Sequence, residues 1–131
     1  MILTNQGKES YGGSDLYISF PINDTAWTEP ANLGSVINTS ADEDAPYLTA
    51  DGRTLYFNSN GHGGEGNHDI WVSYRLDNTW SNWSEPENLG PPINSDAYDF
   101  DYTQSSDGEW AYWASAREGG RGDHDLYRLI L

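Results

Sequence analysis

The sequence predicts an all-β protein built from a repeated unit. Three observations support this: an internal duplication, stretches in which apolar and polar residues alternate, and turn residues between those stretches. The chain has 131 residues, room for one ordinary domain, which we expect to span 1–131. Aliphatic residues are scarce, but six Trp and nine Tyr can supply a core because each aromatic ring buries a large area.

The internal duplication has an offset of 56 residues. Residues 27–75 align with 83–131 without a gap and are identical at 18 of 49 positions, against about three expected by chance. A partial third copy lies upstream, where 13–19 matches 67–73 at an offset of 54. The chain therefore divides into a partial unit (1–36), a full unit (37–92) and a second partial unit (93–131).

Each full unit contains four strand-like stretches. In the second unit three of them lie at 45–49, 54–59 and 69–74, and a glycine-rich loop precedes the last of these. The fourth lies near 83–86 and contains Pro86, which lacks a backbone N–H and therefore indicates an edge strand. Four antiparallel strands in a repeat of this length are typical of a β-propeller blade.

The number of repeats predicts an incomplete ring. Closed propellers need about four to eight blades, whereas this chain holds about 2.3 repeats. Open blades leave sheet edges that can pair with another chain. We therefore expect a homo-oligomer, in the first instance a dimer whose two chains form one ring of about six blades with twofold symmetry. A fragment of a longer propeller, or an open stack of sheets, is the alternative.

The repeated motif also resembles a known family. The pattern W-x-E-P-x-N-L-G-x-x-I-N, then D-G-x-x-x-Y, then a glycine-rich loop ending in D-[IL]-[WY], occurs in 27–75 and in 83–131. It resembles the WD-repeat-like propeller repeat of bacterial TolB-type proteins. The resemblance implies propeller blades, a protein-binding or scaffolding role without shared catalytic residues, and a periplasmic or secreted location. The sequence itself predicts no secretion signal, because its first residues contain no basic region followed by an apolar stretch.

The charge and the cysteine count limit the classes of partner and chemistry. The 21 acidic and six basic residues give a net charge of −15. Such a charge repels phosphate backbones and anionic bilayers, so we expect neither nucleic-acid nor membrane binding. The absence of cysteine excludes disulfides and zinc–thiolate sites. Basic proteins, glycans and cations are the remaining partners.

Acidic residues are concentrated in the connections that a propeller would place on one face. They are Asp42, Glu43, Asp44, Asp96, Asp99 and Asp101. One interpretation is a docking surface for a basic partner, or a site for a cation such as calcium, in which like charges raise some pKa values. The other interpretation is a set of solvated turn residues that bond their own backbone. We favour the latter over a specific metal site, because 42–44 lacks the ligand spacing of a calcium loop.

Three further aspartates, Asp15, Asp69 and Asp125, occupy equivalent positions after the glycine-rich loops. They are either ligands or caps whose carboxylates accept backbone N–H groups of the preceding loop. We predict caps, because a catalytic group is rarely needed in every repeat. No nucleophile–base pair or cofactor fingerprint is present, so the sequence predicts no cofactor.

These observations favour a non-enzymatic interaction or scaffold module that assembles with itself and presents an acidic loop face. The alternative is a carbohydrate-binding or glycoside-processing propeller, with Asp99 or Asp101 beside an exposed Trp. The repeating pair Trp27 and Trp83 is predicted to lie in the core. Core packing is also predicted for the tryptophans that do not repeat, with exposure as the alternative that would suit a sugar; these are Trp80, Trp110 and Trp113.

Overall fold

The computed structural model describes residues 1–64 and 66–131 and consists of three small antiparallel sheets. These residues contain no helix, so the prediction of an all-β fold is confirmed. Accordingly, the described part of the chain has no helix long and apolar enough to cross a membrane.

The ten strands lie in their sheets in chain order. The first sheet contains β1 (Ile2–Asn5), β2 (Asp15–Ile18) and β3 (Ala31–Asn32). The second sheet contains β4 (Glu43–Leu48), β5 (Thr54–Ser59), β6 (Asp69–Tyr74) and β7 (Glu87–Asn88). The third sheet contains β8 (Asp99–Gln104), β9 (Trp110–Ser115) and β10 (Asp125–Ile130).

The strands predicted for the second unit are largely those observed. The bounds of β5 and β6 agree with the prediction, while β4 begins two residues earlier and ends one residue earlier than 45–49. The fourth strand, β7, lies at the edge of its sheet as predicted, but it spans Glu87–Asn88 and not the predicted 83–86. This strand is only two residues long, because Pro86 has no backbone N–H to donate to the ladder. Before the proline, Trp83 forms a single isolated bridge with Arg75.

A bulge recurs at the same position in the second and third sheets. The register between β4 and β5 shifts after Asp44, where Ala45 has a φ of 45°. The register between β8 and β9 shifts after Phe100, where Asp101 has a φ of 57°. Left-handed backbone is unusual for residues other than glycine, although aspartate tolerates it better than alanine. The bulge bends the start of each strand away from the regular ladder of backbone hydrogen bonds.

Two hydrophobic clusters lie between successive sheets. The first joins Leu16 and Ile18 of the first sheet to Leu55, Phe57 and Trp71 of the second. The second cluster joins the opposite face of the second sheet to the third; it comprises Ile70, Ile93, Tyr102, Ala111 and Trp113. Since alternate residues of a strand face opposite sides, the middle sheet is covered on both faces.

The tryptophans only partly follow the sequence prediction. Trp83 and Trp113 are buried, each 3% exposed, as predicted for core residues. The prediction for Trp27 is wrong, because its side chain is 47% exposed. Trp83 packs in the cluster between the first two sheets, whereas the equivalent face of the first sheet has no sheet packed against it among the described residues. Burial at this repeat position therefore depends on a neighbouring sheet.

Buried asparagine side chains link each sheet to the next connection. The Oδ1 atom of Asn38 accepts from Leu16 N at 2.7 Å, and its Nδ2 donates to Leu16 O at 2.9 Å and to Asn32 Oδ1 at 2.8 Å. Asn94 makes the same three bonds with Ile70 N, Ile70 O and Asn88, at 2.9, 2.8 and 2.8 Å. Each amide thus pairs both backbone groups of a buried strand residue, as a neighbouring strand would.

We expect Asn38→Ala and Asn94→Ala to lower the free energy of unfolding by about 1–3 kcal/mol each. Each substitution leaves the buried backbone N–H of Leu16 or Ile70 without its side-chain partner. Urea unfolding followed by tryptophan fluorescence measures the change, and Asn78→Ala, at an exposed loop position, is the control. A loss no larger than that of the control would contradict a structural role for the two amides.

Candidate functional site

Four connections meet at one end of the sheets. His68, at the end of the β5–β6 loop, forms an isolated bridge with Tyr98, and Asp99 N donates to His68 O at 3.0 Å. In the same way Gly13 N donates to Ala41 O at 2.9 Å, which joins the β1–β2 loop to the β3–β4 connection. The loops that the sequence analysis placed on one face therefore lie together, and we call this region the loop end.

Glu43 and Asp99 face into the protein at the loop end. Both are 0% exposed. Glu43 accepts hydrogen bonds from Thr39 N at 2.6 Å, Thr39 Oγ1 at 2.7 Å and Ser59 Oγ at 2.7 Å. Asp99 accepts from Ser95 N at 2.6 Å and from Ser95 Oγ at 2.7 Å. These two carboxylates hold the connections onto the sheets, and neither is on the surface that a partner would contact.

Asp99 also pairs with an arginine. Arg117 Nη2 lies 2.9 Å from Asp99 Oδ1, and Arg117 Nη1 donates to Pro92 O at 2.7 Å. Burial alone would raise the pKa of Asp99, but hydrogen bonds from Ser115, Ser95 and Arg117 outweigh it, and the pKa is lowered. The carboxylate is therefore charged and committed to this ion pair. The expectation that Asp99 stands beside an exposed Trp in a sugar site does not fit these contacts.

The remaining acidic residues of the loop end are more exposed. Asp42 is half-buried and accepts from Ser14 N at 2.8 Å, while Asp96 is exposed. Burial raises the pKa of the half-buried Asp44; His68 opposes this, and the charges of Asp42 and Asp101 add to it. The exposed Asp101 at the bulge of β8 thus acts on Asp44 from the neighbouring sheet. Like charges do raise a pKa here, although burial is the larger cause.

Aromatic rings lie beside these carboxylates. Between ring centroids, Tyr98 lies 4.5 Å from His68 and 4.9 Å from Phe100. The centroids of Phe100 and His124 are 5.1 Å apart. Burial and the charges of Asp44, Asp101 and Asp42 raise the pKa of Tyr98. We call this group the acidic–aromatic surface; it consists of Asp42, Asp44, Asp101, His68, Tyr98 and Phe100.

The sequence analysis did not identify Tyr98 and Phe100 as part of this surface. A signal was present in the repeat: an offset of 56 places them at the positions of Asp42 and Asp44. The full unit therefore has two carboxylates at the positions where the next unit has two aromatic rings. Within residues 1–64 and 66–131, no three His, Cys, Asp or Glu side chains are arranged to hold a metal ion.

The three equivalent aspartates lie against the loops that precede them. Asp15 is buried and accepts from Tyr11 N at 2.7 Å and from Asn32 Nδ2 at 2.8 Å. Asp125 is less buried and accepts from Arg121 N at 2.7 Å and Gly122 N at 3.2 Å. Both arrangements are those of a cap.

Asp69 occupies the corresponding place in the second sheet. It is 1% exposed and accepts from Asn88 Nδ2 at 2.9 Å. Its carboxylate lies so close to Gly64 that a Cβ atom there would collide with it. The glycine is therefore required for the loop to pass the carboxylate.

We expect Asp44→Asn to raise the free energy of unfolding at neutral pH, because the folded state disfavours the charged carboxylate of Asp44. A raised pKa stabilises the fold below the ordinary aspartate value of about 3.9 and loses that contribution as the pH rises through the folded pKa. The difference from wild type should accordingly narrow as the pH is lowered toward about 4. Urea unfolding across this range measures it, with the exposed Asp96→Asn as the charge-matched control. If the free energy of unfolding rises equally in both variants, the surroundings of Asp44 are not the cause of the gain.

We expect Asp69→Ala to cost about 1–3 kcal/mol of folding stability, because the substitution leaves buried donors unpaired. Asp125→Ala should cost less, since Asp125 is less buried and water can replace it. Thermal unfolding measures both, and Asp24→Ala in an exposed loop is the control. If the melting temperature of Asp69→Ala equals that of the control, the carboxylate does not act as a cap.

Comparison with known proteins identifies no family for this chain. No protein-family model matches the chain, and no curated protein matches its sequence. The resemblance to the TolB-type repeat therefore depends on the motif residues alone.

Proposed function

We propose that the chain is a non-enzymatic interaction module, a β-propeller segment that assembles with a second copy of itself and presents the acidic–aromatic surface to a basic partner. The observation that carries this proposal is a contrast in burial between equivalent residues. Several positions that are buried where one sheet faces another are exposed at the two ends of the stack, although Tyr17, equivalent to the buried Trp71, is itself 3% exposed. An uncovered apolar sheet face favours association with another sheet.

The third sheet provides one uncovered face. Its strand register places Leu126 beside Ala114 and Ile130 beside Trp110. Leu126 is 76% exposed and Ile130 is 66% exposed. Ile70, which the repeat makes equivalent to Leu126, is 0% exposed because the third sheet covers it. A further sheet packed on Leu126 would bury it in the same way.

The first sheet provides the second uncovered face. Met1 is 61% exposed, while Leu55, its equivalent at an offset of 54, is 0% exposed. Trp27 is 47% exposed, while Trp83, its equivalent at an offset of 56, is 3% exposed. In the middle sheet both equivalents pack against the first sheet.

The two end faces are complementary, because each corresponds to one side of a junction that the chain already contains twice. Docking the third sheet of one copy onto the first sheet of another repeats that junction. Two such contacts close a dimer with twofold symmetry into a ring of about six blades. The motif resemblance to TolB-type propeller repeats supports this architecture.

The loop end gives this assembly a surface for a partner. Its carboxylates and rings, of which Asp101 is exposed and the others are half-buried, suit basic side chains, which are attracted by the charge and can stack on aromatic faces. The net charge of −15 makes the same surface unsuitable for nucleic acid.

We expect the protein to self-associate reversibly, and Leu126→Asp to abolish this association without unfolding the chain. The side chain is already 76% exposed, so its replacement disturbs no core contact within one copy. Light scattering over a dilution series, with circular dichroism for folding, measures both properties. Added salt should strengthen association, since it screens repulsion between two highly acidic chains.

The matched control is Leu76→Asp. Leu76 is 60% exposed and follows β6, outside the exposed face of the third sheet. This variant should associate like wild type. A wild-type mass that stays at the 14.6 kDa of one chain at every concentration, or equal loss of association in both variants, would refute the proposed assembly.

A further inference from the structure

The strand β10 has one edge to which no strand is bonded. The third sheet has the order β8, β9, β10, and no strand among the described residues pairs with the far side of β10. In the other two sheets the equivalent edge is occupied, because β3 pairs with β2 and β7 pairs with β6. An open edge presents backbone N–H and C=O groups that can bond to a further strand.

The register of β10 shows which of its backbone groups point to the open edge. β10 pairs with β9 in the same register as β6 pairs with β5, at an offset of 56. Ile70 of β6 directs its N–H and C=O away from β5, because both are bonded to the side chain of Asn94. The N–H and C=O of the equivalent Leu126 therefore point to the open edge. Those of Arg128 do so as well, since the direction alternates along an antiparallel strand.

The aspartate at the start of β10 lacks a side-chain contact that its two equivalents have. In the first sheet Asn32 Nδ2 donates to Asp15 at 2.8 Å, and in the second Asn88 Nδ2 donates to Asp69 at 2.9 Å. Both asparagines belong to the edge strand. Asp125 accepts from two backbone N–H groups of its own loop, and no side chain among the described residues bonds to it. The carboxylate therefore faces a place that an asparagine fills in the other two sheets.

The segments that occupy the other two edges share the pattern E-P-x-N-L-G-x-x-I-N, at 29–38 and 85–94. In both, the first asparagine donates to the aspartate and the second bonds both backbone groups of the next strand residue. The leucine N–H donates to the same backbone oxygen, at 3.0 Å for Leu33 and 3.2 Å for Leu89. A segment with this pattern therefore has a bonding group for each open group of Asp125 and Leu126.

Arg128 adds a preference for charge at this edge. Its equivalents are Ile18 and Val72, which lie opposite Ala31 and Glu87 of the edge strands. Arg128 is exposed, and the repeat places it opposite the residue just before the first asparagine of the pattern. An acidic residue at that position forms a favourable cross-strand pair with the guanidinium, which alanine does not.

We propose that the open edge of β10 binds an extended segment of a partner polypeptide that carries this pattern, with an acidic residue before the first asparagine. The segment adds a fourth strand to the third sheet; in this mode of recognition backbone bonds give affinity and side chains give specificity. The inference goes beyond the function proposed above, because a sheet docked on the face of β10 leaves its edge open. It holds for a single chain and for a self-assembled one.

The test is a titration of fluorescently labelled peptides with the full chain, followed by anisotropy. One peptide has the sequence of 27–38, and a second differs from it by Ala31→Glu. We expect both to bind saturably with a dissociation constant below about 1 mM, and the second to bind about twofold to fivefold more tightly. A third peptide, with Asn32→Ala and Asn38→Ala, should bind about tenfold more weakly than the first, because it lacks both anchoring amides.

Two variants of the protein locate the contact. Arg128→Gln should remove the advantage of the peptide with Ala31→Glu. Arg121→Gln, a charge-matched change in the exposed loop before β10, should retain it. Hydrogen exchange provides a second measurement, in which bound peptide slows exchange of the Leu126 and Arg128 amides more than that of Tyr127, whose N–H points toward β9.

The proposal is overturned if neither of the first two peptides binds saturably, or if the peptide without the two asparagines binds as tightly as the first. It is also overturned if Arg128→Gln and Arg121→Gln affect the advantage of the acidic peptide equally. The comparison of peptides uses the wild-type protein, so it decides the question even where a variant fails to fold. A protein that stays monomeric in light scattering contradicts the proposed self-assembly but leaves this test unchanged.

Discussion

The buried side-chain amides of Asn38 and Asn94 hold each connection between two sheets against the sheet that precedes it. Each amide bonds both backbone groups of a strand residue in the preceding sheet, Leu16 of β2 or Ile70 of β6, and also the asparagine that ends the short last strand of that sheet. An amide at 1% or 6% exposure must have its hydrogen bonds met, so the connection that carries it has little freedom to move. The hydrophobic clusters pack between the sheets that these connections join.

The loop end follows from the same constraint. Once Asn38 and Asn94 are anchored, Glu43 and Asp99 turn inward and take up the N–H and hydroxyl groups of the residue just after each asparagine. The bulge that follows brings residues 44 and 101 close enough to interact across two sheets. The acidic–aromatic surface therefore lies outside the buried hydrogen bonds of Glu43 and Asp99. Neighbouring carboxylates differ in role for this reason: Glu43 and Asp99 hold the connections in place, while Asp44 and Asp101 face outward.

Because the unit repeats, the exposure of a residue at either end of the stack of sheets can be compared with that of its equivalent in the middle sheet. Trp27 and Trp83 share a sequence context, as do Leu126 and Ile70, but their exposure differs widely because only one member of each pair faces another sheet. Differences between equivalent positions are thus more informative about function than the shared motif.

The sequence by itself determined the all-β class, the limits of β5 and β6, the edge position of the fourth strand (although not its bounds) and the repeat, because these depend on residues close together in the chain. The loop-facing positions of Asp15 and Asp125 were predictable for the same reason. Only the tertiary structure decided that Glu43 and Asp99 are fully buried while Asp44 is half-buried, that Trp27 is exposed, and that Tyr98 and Phe100 lie beside carboxylates of another sheet. Which face of a strand is covered, and which way a bulge turns a side chain, depend on segments far apart in sequence, and no local pattern records them.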